Sequence, residues 1–156
     1  MECEIEGVII KELTRHVDRR GWLTELFRKD ELPPEFQPVM SYVSLTKPGV
    51  VRGPHEHKEQ TDCFCFVGPS TFLMCLWDNR SHSPTYDRKC QLRVGEEFNA
   101  LVIVPPGVVH AYKNVGSVDG VVFNAPNRLY GGWGRTARAD EVRYEDDPAS
   151  RFRIDY

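Results

Sequence analysis

The sequence lacks a long apolar run and an excess of positive charge, and each absence excludes a class of protein. Its longest apolar stretches, near Phe64–Val67, Phe72–Trp77 and Leu101–Pro106, fall far short of the roughly 20 residues that cross a bilayer. Its 20 Lys and Arg against 23 Asp and Glu leave a net charge of −3, so no positive field attracts a polyanion. We therefore expect neither a membrane protein nor a nucleic-acid-binding protein.

The sequence also lacks an even set of cysteines and a secretory signal. Its first residues carry neither a basic nor an apolar segment, which predicts a cytoplasmic protein. Five cysteines are an odd number, and three of them, Cys63, Cys65 and Cys75, lie in apolar stretches. We therefore expect reduced thiols in the core rather than a disulfide framework.

Proline and glycine punctuate a chain whose proportions, 40% hydrophobic and 28% charged, are those of a globular protein. The length of 156 residues fits one domain, residues 1–156. Between the turns lie short segments rich in β-branched and aromatic residues: Ser41–Thr46, Asp62–Val67, Thr71–Trp77, Ala100–Val104, His110–Lys113 and Gly120–Asn124. This pattern predicts an all-β sandwich or barrel, with one short helix near Lys29–Glu31.

Alternation along these strands predicts what each face meets. Within Asp62–Val67, the even-numbered residues share one face and the odd-numbered residues the other. Thr71–Trp77 and Ala100–Val104 are almost continuously hydrophobic, so both of their faces must be covered, one by the interior and one by a second sheet or a second subunit. A homodimer is therefore expected. The acidic segment Glu141–Asp147 is expected to be a solvated strand end or turn.

Three histidines stand in two short runs that are rich in glycine and proline. His55 and His57 are two residues apart, so on a strand both imidazoles point to one side of the sheet. Asp62 follows after a gap short enough for a tight turn, and His110 comes from a later strand. Three imidazoles and a carboxylate would serve proton transfer or hold a metal ion.

These runs resemble the paired motifs of the cupin superfamily. The first motif is G-x5-H-x-H followed by an acidic residue and a glycine, and it is matched by Gly49, His55, His57, Asp62 and Gly68. The second is P-x-G-x2-H-x3-N, and it is matched by Pro105, Gly107, His110 and Asn114. The resemblance implies a cupin-type antiparallel β-barrel, or jelly roll.

Further segments resemble the dTDP-4-dehydrorhamnose 3,5-epimerase family. Asp18–Phe27 is similar to its D-x-R-G-x-x-x-E-x-F segment and Gly49–His55 to its G-V-L-R-G-L-H. Ser83–Tyr86 is similar to S-P-T-F and Pro105–His110 to P-P-G-F-A-H. The resemblance runs in order over most of the chain. It implies an isomerase that epimerises a dTDP-4-keto-6-deoxyhexose without a cofactor.

The family mechanism implies roles for particular residues. Its histidine base, which removes the proton beside the ketone, falls on His55. Arg52 would lie at the diphosphate or at the developing oxyanion. In the family dimer the D-x-R-G segment reaches the nucleotide of the neighbouring subunit, which nominates Arg20 and Glu25 for nucleotide binding.

The sequence departs from the family at three places. Thr61 stands where the family has a lysine, Phe123 stands where it has its tyrosine acid, and the chain ends at Tyr156, short of the extension whose aspartate orients the base. We expect Asp62 as the substitute that orients His55.

The substitute acid is expected to be a nearby phenol. Tyr112 shares a strand face with His110 and is the better candidate, and Tyr130 is the other. In the polar and aromatic loop around Tyr130, Asn127 and Arg128 are candidates for a phosphate contact, and Tyr130 or Trp133 for stacking on a base or sugar.

Three alternatives stay open. Val51–Lys58 resembles the R-G-x-H-A-H-K segment of the sugar-nucleotide 3,4-ketoisomerases, in which two histidines shuttle protons without metal. A metal-dependent cupin would use His55, His57, Asp62 and His110 as ligands. A non-catalytic cupin that binds a sugar nucleotide would explain the missing lysine and tyrosine.

Overall fold

The computed structural model describes residues 3–154 of the chain. Its strands, in chain order, are β1 (Ile9–Glu12), β2 (His16–Asp18), β3 (Gly21–Leu23), β4 (Tyr42–Thr46), β5 (Val51–Glu56), β6 (Asp62–Phe66), β7 (Thr71–Asp78), β8 (Lys89–Gly95), β9 (Ala100–Val104), β10 (Val108–Asn114), β11 (Gly120–Asn124) and β12 (Val142–Arg143). One 3₁₀ turn, Trp133–Arg135, completes the regular structure of these residues. The all-β prediction is confirmed, and no helix in this part of the chain is long and apolar enough to span a membrane.

The helix expected near Lys29–Glu31 is wrong, because this segment is a turn. The amide of Leu32 donates to the carbonyl oxygen of Arg28, which closes a single turn. Pro33 and Pro34 follow at once, and proline has no amide hydrogen with which a helix could continue.

Ten of the strands form two antiparallel five-stranded sheets. The first sheet has the order β1-β9-β6-β11-β4, and the second has the order β12-β5-β10-β7-β8. Strands β2 and β3 form a separate hairpin. From β4 to β7 the chain crosses between the sheets at every connection, which is a jelly-roll arrangement, as predicted.

Alternate side chains from both sheets fill the space between them. Phe64 and Phe66 of β6 point into this interior, and the odd-numbered residues of β6 pack on the outer face, as predicted. The ring of Tyr112 lies with its centroid 5.6 Å from that of Phe66 and 5.7 Å from that of Phe72. Each such buried side chain stabilises the fold by about 1.5–3 kcal/mol, so this core holds the two sheets together.

Segments of the same chain cover the outer faces of both sheets. Leu13 and Phe36 pack on the odd-numbered residues of β6 and β9. Phe152 packs on Trp77 of β7, at a ring distance of 5.8 Å. Both faces of Thr71–Trp77 and Ala100–Val104 are therefore covered, as predicted, but the outer cover is irregular segments of the same chain rather than the second sheet or second subunit that was expected. This covering gives no support to a homodimer.

The loop after β7 is built on a buried carboxylate. Both oxygens of Asp78 accept hydrogen bonds from the Arg80 guanidinium, at 2.8 and 2.9 Å. The hydroxyls of Ser83 and Thr85 add donors at 2.5 and 2.6 Å. Burial would raise the pKa of Asp78, but these donors hold it well below its usual range. Ser83 and Thr85 belong to the S-P-T segment of the sequence, so this segment shapes a loop.

Candidate active site

Three histidines and Asp62 meet between the two sheets. His55 of β5 and His110 of β10 are directly paired on the second sheet, and Asp62 opens β6 of the first. His57 comes immediately after β5. The ring centroid of His55 lies 4.5 Å from that of His110 and 5.6 Å from that of His57. The structure thus brings together the four residues that the spacing nominated.

Gly53 allows β5 to approach β10 this closely. Its φ is +83°, and a Cβ atom there would lie 2.6 Å from the carbonyl oxygen of His110. A side chain at this position would force the strands apart and separate His55 from His110.

The two oxygens of Asp62, which is 1% exposed, have different surroundings. Oδ1 accepts hydrogen bonds from Nε2 of Gln60 at 2.9 Å and from Nδ2 of Asn124 at 2.8 Å. Oδ2 lies 3.1 Å from Nε2 of His57 and 3.3 Å from Nε2 of His110. No hydrogen bond from the described residues satisfies Oδ2 or the His110 nitrogen. Because buried polar atoms are nearly always paired, these two atoms mark a place for a proton or a ligand.

The opposite nitrogens of two rings indicate where their hydrogens lie. Nδ1 of His57 contacts the carbonyl oxygen of Asp140, and Nδ1 of His110 lies 3.0 Å from the carbonyl oxygen of Val108. A carbonyl can only accept, so each Nδ1 carries a hydrogen. In the neutral rings, both Nε2 lone pairs therefore face the Asp62 carboxylate. A proton or a cation between them and Oδ2 would be bound favourably.

Burial and neighbouring charges separate the protonation states of the cluster. Burial and the charges of His110 and His57 lower the pKa of His55 to about 2, so His55 is a neutral base at neutral pH. Burial also opposes protonation of His57, but Asp62 and the Asp140 carbonyl outweigh it and raise the pKa of His57. Burial would raise the pKa of Asp62, but His110 and His57 hold it below its usual range. The cluster thus combines a neutral base with a more readily protonated imidazole beside an anion.

Two glutamates that were expected to be solvated flank His55. Oε1 of Glu141 lies 4.0 Å and Oε2 of Glu145 lies 3.9 Å from Nδ1 of His55. The cause is β12, which pairs with β5 and sets Arg143 opposite His55. The expectation of a solvated segment is therefore wrong for these side chains, which are 18% and 31% exposed. Asp62, which was expected to orient His55, lies instead beside the other two histidines.

Asp140 braces the turn between β5 and β6. Its carboxylate accepts hydrogen bonds from the backbone amides of Lys58, Glu59 and Gln60, at 3.0, 2.9 and 2.9 Å. Its carbonyl oxygen contacts His57. Asp140 therefore fixes both the turn and the imidazole, a role that no motif in the sequence indicates.

Tyr42 and Asn124 extend the cluster along the first sheet, and sequence analysis missed both. They pair directly between β4 and β11. Nδ2 of Asn124 donates to the Tyr42 hydroxyl oxygen at 2.8 Å and to Oδ1 of Asp62 at 2.8 Å. The available signal was the polar alternation of Tyr42, Ser44 and Thr46 in a strand whose other residues are apolar.

Tyr112 points to the same side of β10 as His110, as predicted. The rings of both residues lie against Phe64, with centroids 5.8 Å and 5.3 Å from its own. The Tyr112 hydroxyl lies 3.2 Å from Oγ of Ser44, and the residue is 4% exposed.

Arg52 joins β5 to the edge strand of the opposite sheet. Its Nε donates to the Thr46 hydroxyl and its Nη2 to the Leu45 carbonyl oxygen, both at 2.8 Å. Arg52 is an exposed residue, so its guanidinium remains open to a ligand.

The residues nominated for nucleotide binding lie on exposed segments. Arg20 is on the β2–β3 hairpin and pairs with Asp18, and Glu25 pairs with Arg28 at 3.4 Å. Within one chain, neither Arg20 nor Glu25 belongs to the buried cluster.

In the loop after β11, Asn127 has a structural role that was not expected. Oδ1 of Asn127 accepts a hydrogen bond from the amide of Thr61 at 2.8 Å, which ties this loop to the start of β6. Arg128 forms an exposed ion pair with Glu59 at 3.1 Å. Tyr130 is 63% exposed, so its ring is free to stack on a ligand.

The histidine cluster also has the composition of a metal site. His55, His57, Asp62 and His110 each offer one ligand atom, and these atoms all lie within 4.8 Å of one another. Three imidazole nitrogens and one carboxylate oxygen suit Zn²⁺ or another first-row divalent ion. Oδ2 of Asp62 and Nε2 of His110, which lack hydrogen bonds from the described residues, would be two of the ligands.

Comparison with known proteins identifies the family. The sequence model of the family described as dTDP-4-dehydrorhamnose 3,5-epimerase matches residues 2–140. The chain belongs to this family. The resemblance found in the motifs is confirmed, and the chain is an enzyme of the isomerase class, an epimerase.

Two curated relatives extend the comparison of this epimerase family member. A probable low-salt glycan biosynthesis epimerase of Haloferax volcanii is 37% identical over 128 residues, which cover 81% of each chain. The spore coat polysaccharide biosynthesis protein SpsL of Bacillus subtilis is 35% identical over 112 residues, covering 72% of this chain and 73% of SpsL.

Solved structures show the same fold. A dTDP sugar isomerase of Desulfovibrio desulfuricans superimposes with a TM-score of 0.80 at 25% identity, covering 96% of this chain and 91% of that one. A dTDP-4-dehydrorhamnose 3,5-epimerase of Bacillus anthracis, solved with TDP and pyrophosphate, gives a TM-score of 0.77 at 20% identity, covering 100% of this chain and 90% of that one.

The fold also explains one departure from the family motifs. Phe123 packs on the outer face of the first sheet, with the cluster that contains Cys65. Its neighbour Asn124 faces inwards and reaches Asp62. The side chain of Phe123 therefore faces away from the histidines.

Proposed function

We propose that this enzyme epimerises a nucleotide-linked 4-keto-6-deoxyhexose, with His55 as the base. The observation that carries the proposal is the position of His55, whose imidazole is held between the two sheets beside two further histidines and Asp62. Family membership and the epimerase name of the Haloferax volcanii relative support the same reaction class.

The chemistry begins with the carbon beside the ketone. The neutral His55 takes the proton from this carbon, and the electron pair of the broken C–H bond passes into an enolate. General base catalysis of this kind typically contributes about 10²–10⁴-fold to the rate. The negative oxygen then needs a positive partner, and the candidates are the more basic imidazole of His57, the His110 ring and the Arg52 guanidinium. Glu141 and Glu145 would stabilise His55 once it is protonated.

Substrate binding is proposed to use a second copy of the chain. The β2–β3 hairpin carries exposed apolar side chains, Val17, Trp22 and Leu23, that a partner would cover. Arg20 and Glu25 lie on or near this hairpin and would reach the nucleotide of the partner. Arg128, which is exposed in its ion pair with Glu59, and Tyr130 would contact the diphosphate or the base, while Asn127 would act by holding their loop.

We further propose that the enzyme works in the cytoplasm and serves polysaccharide biosynthesis. The cysteines among the described residues are not joined in disulfides, which suits a reducing compartment. The names of both curated relatives refer to glycan or polysaccharide biosynthesis.

A 3,4-ketoisomerase reaction is the second candidate. The observation that favours it is the presence of His57 in the cluster, with a raised pKa and its Nε2 pointing inwards. A base and a readily protonated imidazole on the same side of the sugar would move a proton between neighbouring carbons, and the carbonyl would shift.

A metal-dependent reaction is favoured by the two unsatisfied atoms at Asp62 and His110. Metal analysis of the freshly purified protein, followed by treatment with a chelator, tests it. A stoichiometric ion and a loss of turnover that the ion restores would establish a metal enzyme. Full turnover after complete removal of metal would establish catalysis by bare histidines.

The product of dTDP-4-keto-6-deoxyglucose, followed by NMR, decides between the remaining functions. We expect a product inverted beside the ketone, with the ketone still at carbon 4. A product with the ketone at carbon 3 would instead identify a ketoisomerase. Binding of the substrate with no product would identify a non-catalytic cupin.

A further inference from the structure

We propose that Tyr42 is the acid of the reaction and returns a proton to the enolate from the face opposite His55. This inference rests on the proposed epimerase function. The motif position of the family's tyrosine acid holds Phe123, which packs outside the sheet, so the structure has to supply another donor.

Tyr42 lies on the sheet that faces His55. His55 is on β5 of the second sheet, and Tyr42 is on β4 of the first. Contacts across the interior show that β4 lies opposite β5 and β10: Arg52 reaches Thr46, and Tyr112 reaches Ser44. A sugar between the sheets would therefore have His55 on one face and β4 on the other. Inversion at a carbon requires this arrangement, because the new proton must arrive opposite the one that left.

The alternation of β4 turns Tyr42 towards this interior. Ser44 and Thr46 make the cross-sheet contacts, and residues two apart on a strand share a face. The Tyr42 hydroxyl itself accepts a hydrogen bond from Asn124, which also binds Asp62. The side-chain amide of Asn124 thus links the Tyr42 hydroxyl to Asp62 of the histidine cluster. The residue Tyr42 is 46% exposed, so a ligand can reach it.

The environment of the hydroxyl suits an acid. Oδ1 of Asn124 accepts the amide hydrogen of Cys63 at 3.0 Å, so its NH₂ group must face Tyr42 and Asp62. The phenol oxygen receives a hydrogen bond and keeps its own hydrogen free to donate. The Asn124 donor would then stabilise the phenolate that remains. Burial raises the pKa of Tyr42 to about 12, against the effect of Asn124, so the hydroxyl is protonated at neutral pH.

Tyr112, the acid expected from the sequence, is less well placed. It is on β10, in the same sheet as His55, so it does not supply the opposite face. Its ring packs among Phe64, Phe66 and Phe72, and the residue is 4% exposed. A ring enclosed by three others has little room for a hexose at its hydroxyl.

The proton transfers balance. A C–H bond of the sugar breaks, its proton goes to His55, and its electrons form the enolate. The enolate carbon then forms a new C–H bond with the Tyr42 hydroxyl hydrogen, which leaves a phenolate. When the product departs, His55 is protonated and Tyr42 is ionised. His55 then gives a proton to solvent and Tyr42 takes one from solvent, which restores both groups.

The test compares two readouts in D₂O with dTDP-4-keto-6-deoxyglucose: deuterium incorporation beside the ketone and formation of the inverted product. Tyr42→Phe should retain incorporation within about threefold of the wild-type rate, because His55 still removes the proton and returns a deuteron to the same face. The rate of inversion should fall at least about 100-fold, the scale of a lost general acid. Tyr86→Phe is the matched control, since Tyr86 is 48% exposed and lies between β7 and β8, and both of its rates should stay at the wild-type level.

Each other result has a distinct meaning. If Tyr42→Phe inverts the substrate at the wild-type rate, Tyr42 is not the acid. If Tyr112→Phe, rather than Tyr42→Phe, separates exchange from inversion, the acid is Tyr112. If both incorporation and inversion fall together in a Tyr42→Phe protein with wild-type thermal stability, Tyr42 serves substrate binding and the proposal is overturned. If the wild-type enzyme neither exchanges nor inverts, it is the proposed function that fails.

Discussion

Two buried aspartates, Asp62 and Asp78, have the same exposure but opposite surroundings. Asp78 is 0% exposed, and both of its oxygens receive strong hydrogen bonds from Arg80, Ser83 and Thr85. Asp62 is 1% exposed, and only Oδ1 is satisfied, while Oδ2 faces two imidazole nitrogens without a hydrogen bond.

The difference separates a carboxylate that builds a loop from one that belongs to the proposed catalytic cluster. A buried carboxylate with every lone pair satisfied has no capacity left for a ligand, and it stabilises the fold. Asp62 instead keeps a negative charge beside His57 and His110, two of the groups that the proposed mechanism offers to the enolate oxygen. We therefore expect substitutions near Asp62 to affect turnover, and substitutions near Asp78 to affect stability.

The largest expected effect is on turnover, at the cluster that contains Asp62. His55→Asn should lower kcat by about 10²–10⁴-fold, because it removes the base while keeping a side chain of similar polarity. Steady-state assays of product formation measure this effect. His82→Asn, in an exposed loop, is the control and should keep wild-type turnover. A His55→Asn enzyme with wild-type turnover would show that His55 is not the base.

The next largest effect is expected on the stability of the fold, at Asp78. Asp78→Ala should lower the free energy of unfolding by about 3 kcal/mol or more, because it leaves the largely buried Arg80 guanidinium without its partner. Urea denaturation measures this loss. Because the hydrogen bonds of the Asp78 carboxylate go to Arg80, Ser83 and Thr85 rather than to the histidine cluster, the folded fraction should retain its kcat. A loss of kcat without a loss of stability would show that Asp78, like Asp62, serves turnover rather than the fold.

The pH dependence of stability should also distinguish the histidine cluster. The folded-state pKa of His55, about 2, is below the ordinary value of about 6.5, so the unfolded chain binds this proton first as the pH falls. The contribution of neutral His55 is therefore present above pH 6.5 and is lost below it, by at most about 1.4 kcal/mol per pH unit. Urea midpoints between pH 7 and pH 4 should fall less steeply for His55→Gln than for the wild type. Equal slopes would mean that burial does not depress this pKa.

The smallest effect on stability is expected at Asp62 itself. Asp62→Asn should change the free energy of unfolding by less than about 1 kcal/mol, because an amide oxygen can keep the bonds from Gln60 and Asn124 while its NH₂ group donates to an imidazole nitrogen. The same variant should lose turnover, since the charge that raises the pKa of His57 is gone. Calorimetry and a kinetic assay on one preparation check both parts. A destabilisation as large as that of Asp78→Ala would show that Asp62 is structural too.

Much of the fold follows from local pattern. Proline and glycine punctuation located most of the core strands but missed β8, which has seven residues. The alternation of β6 separated its inward and outward faces correctly. The cluster of His55, His57 and Asp62 was predictable from the i, i+2 spacing of the two histidines and from the short turn before Asp62. These features depend on residues close in sequence or on a strong motif.

The remaining site depends on which strands become neighbours, and local pattern does not determine that. Glu141 reaches His55 because the two-residue strand β12 adds to the edge of β5. Tyr42 and Asn124 reach Asp62 because β4, β11 and β6 are consecutive in one sheet. The helix predicted near Lys29–Glu31 does not form, because Pro33 and Pro34 follow it at once and cannot continue a helix.

We propose that His55 removes a proton from the carbon beside a ketone, and solvent deuterium reports this step directly. The enzyme is incubated with dTDP-4-keto-6-deoxyglucose in D₂O, and the recovered sugar is examined by NMR and mass spectrometry. The account predicts deuterium beside the ketone with the wild-type enzyme and, at equal enzyme concentration, none above the uncatalysed background with His55→Asn. Incorporation at the wild-type rate by His55→Asn would contradict it.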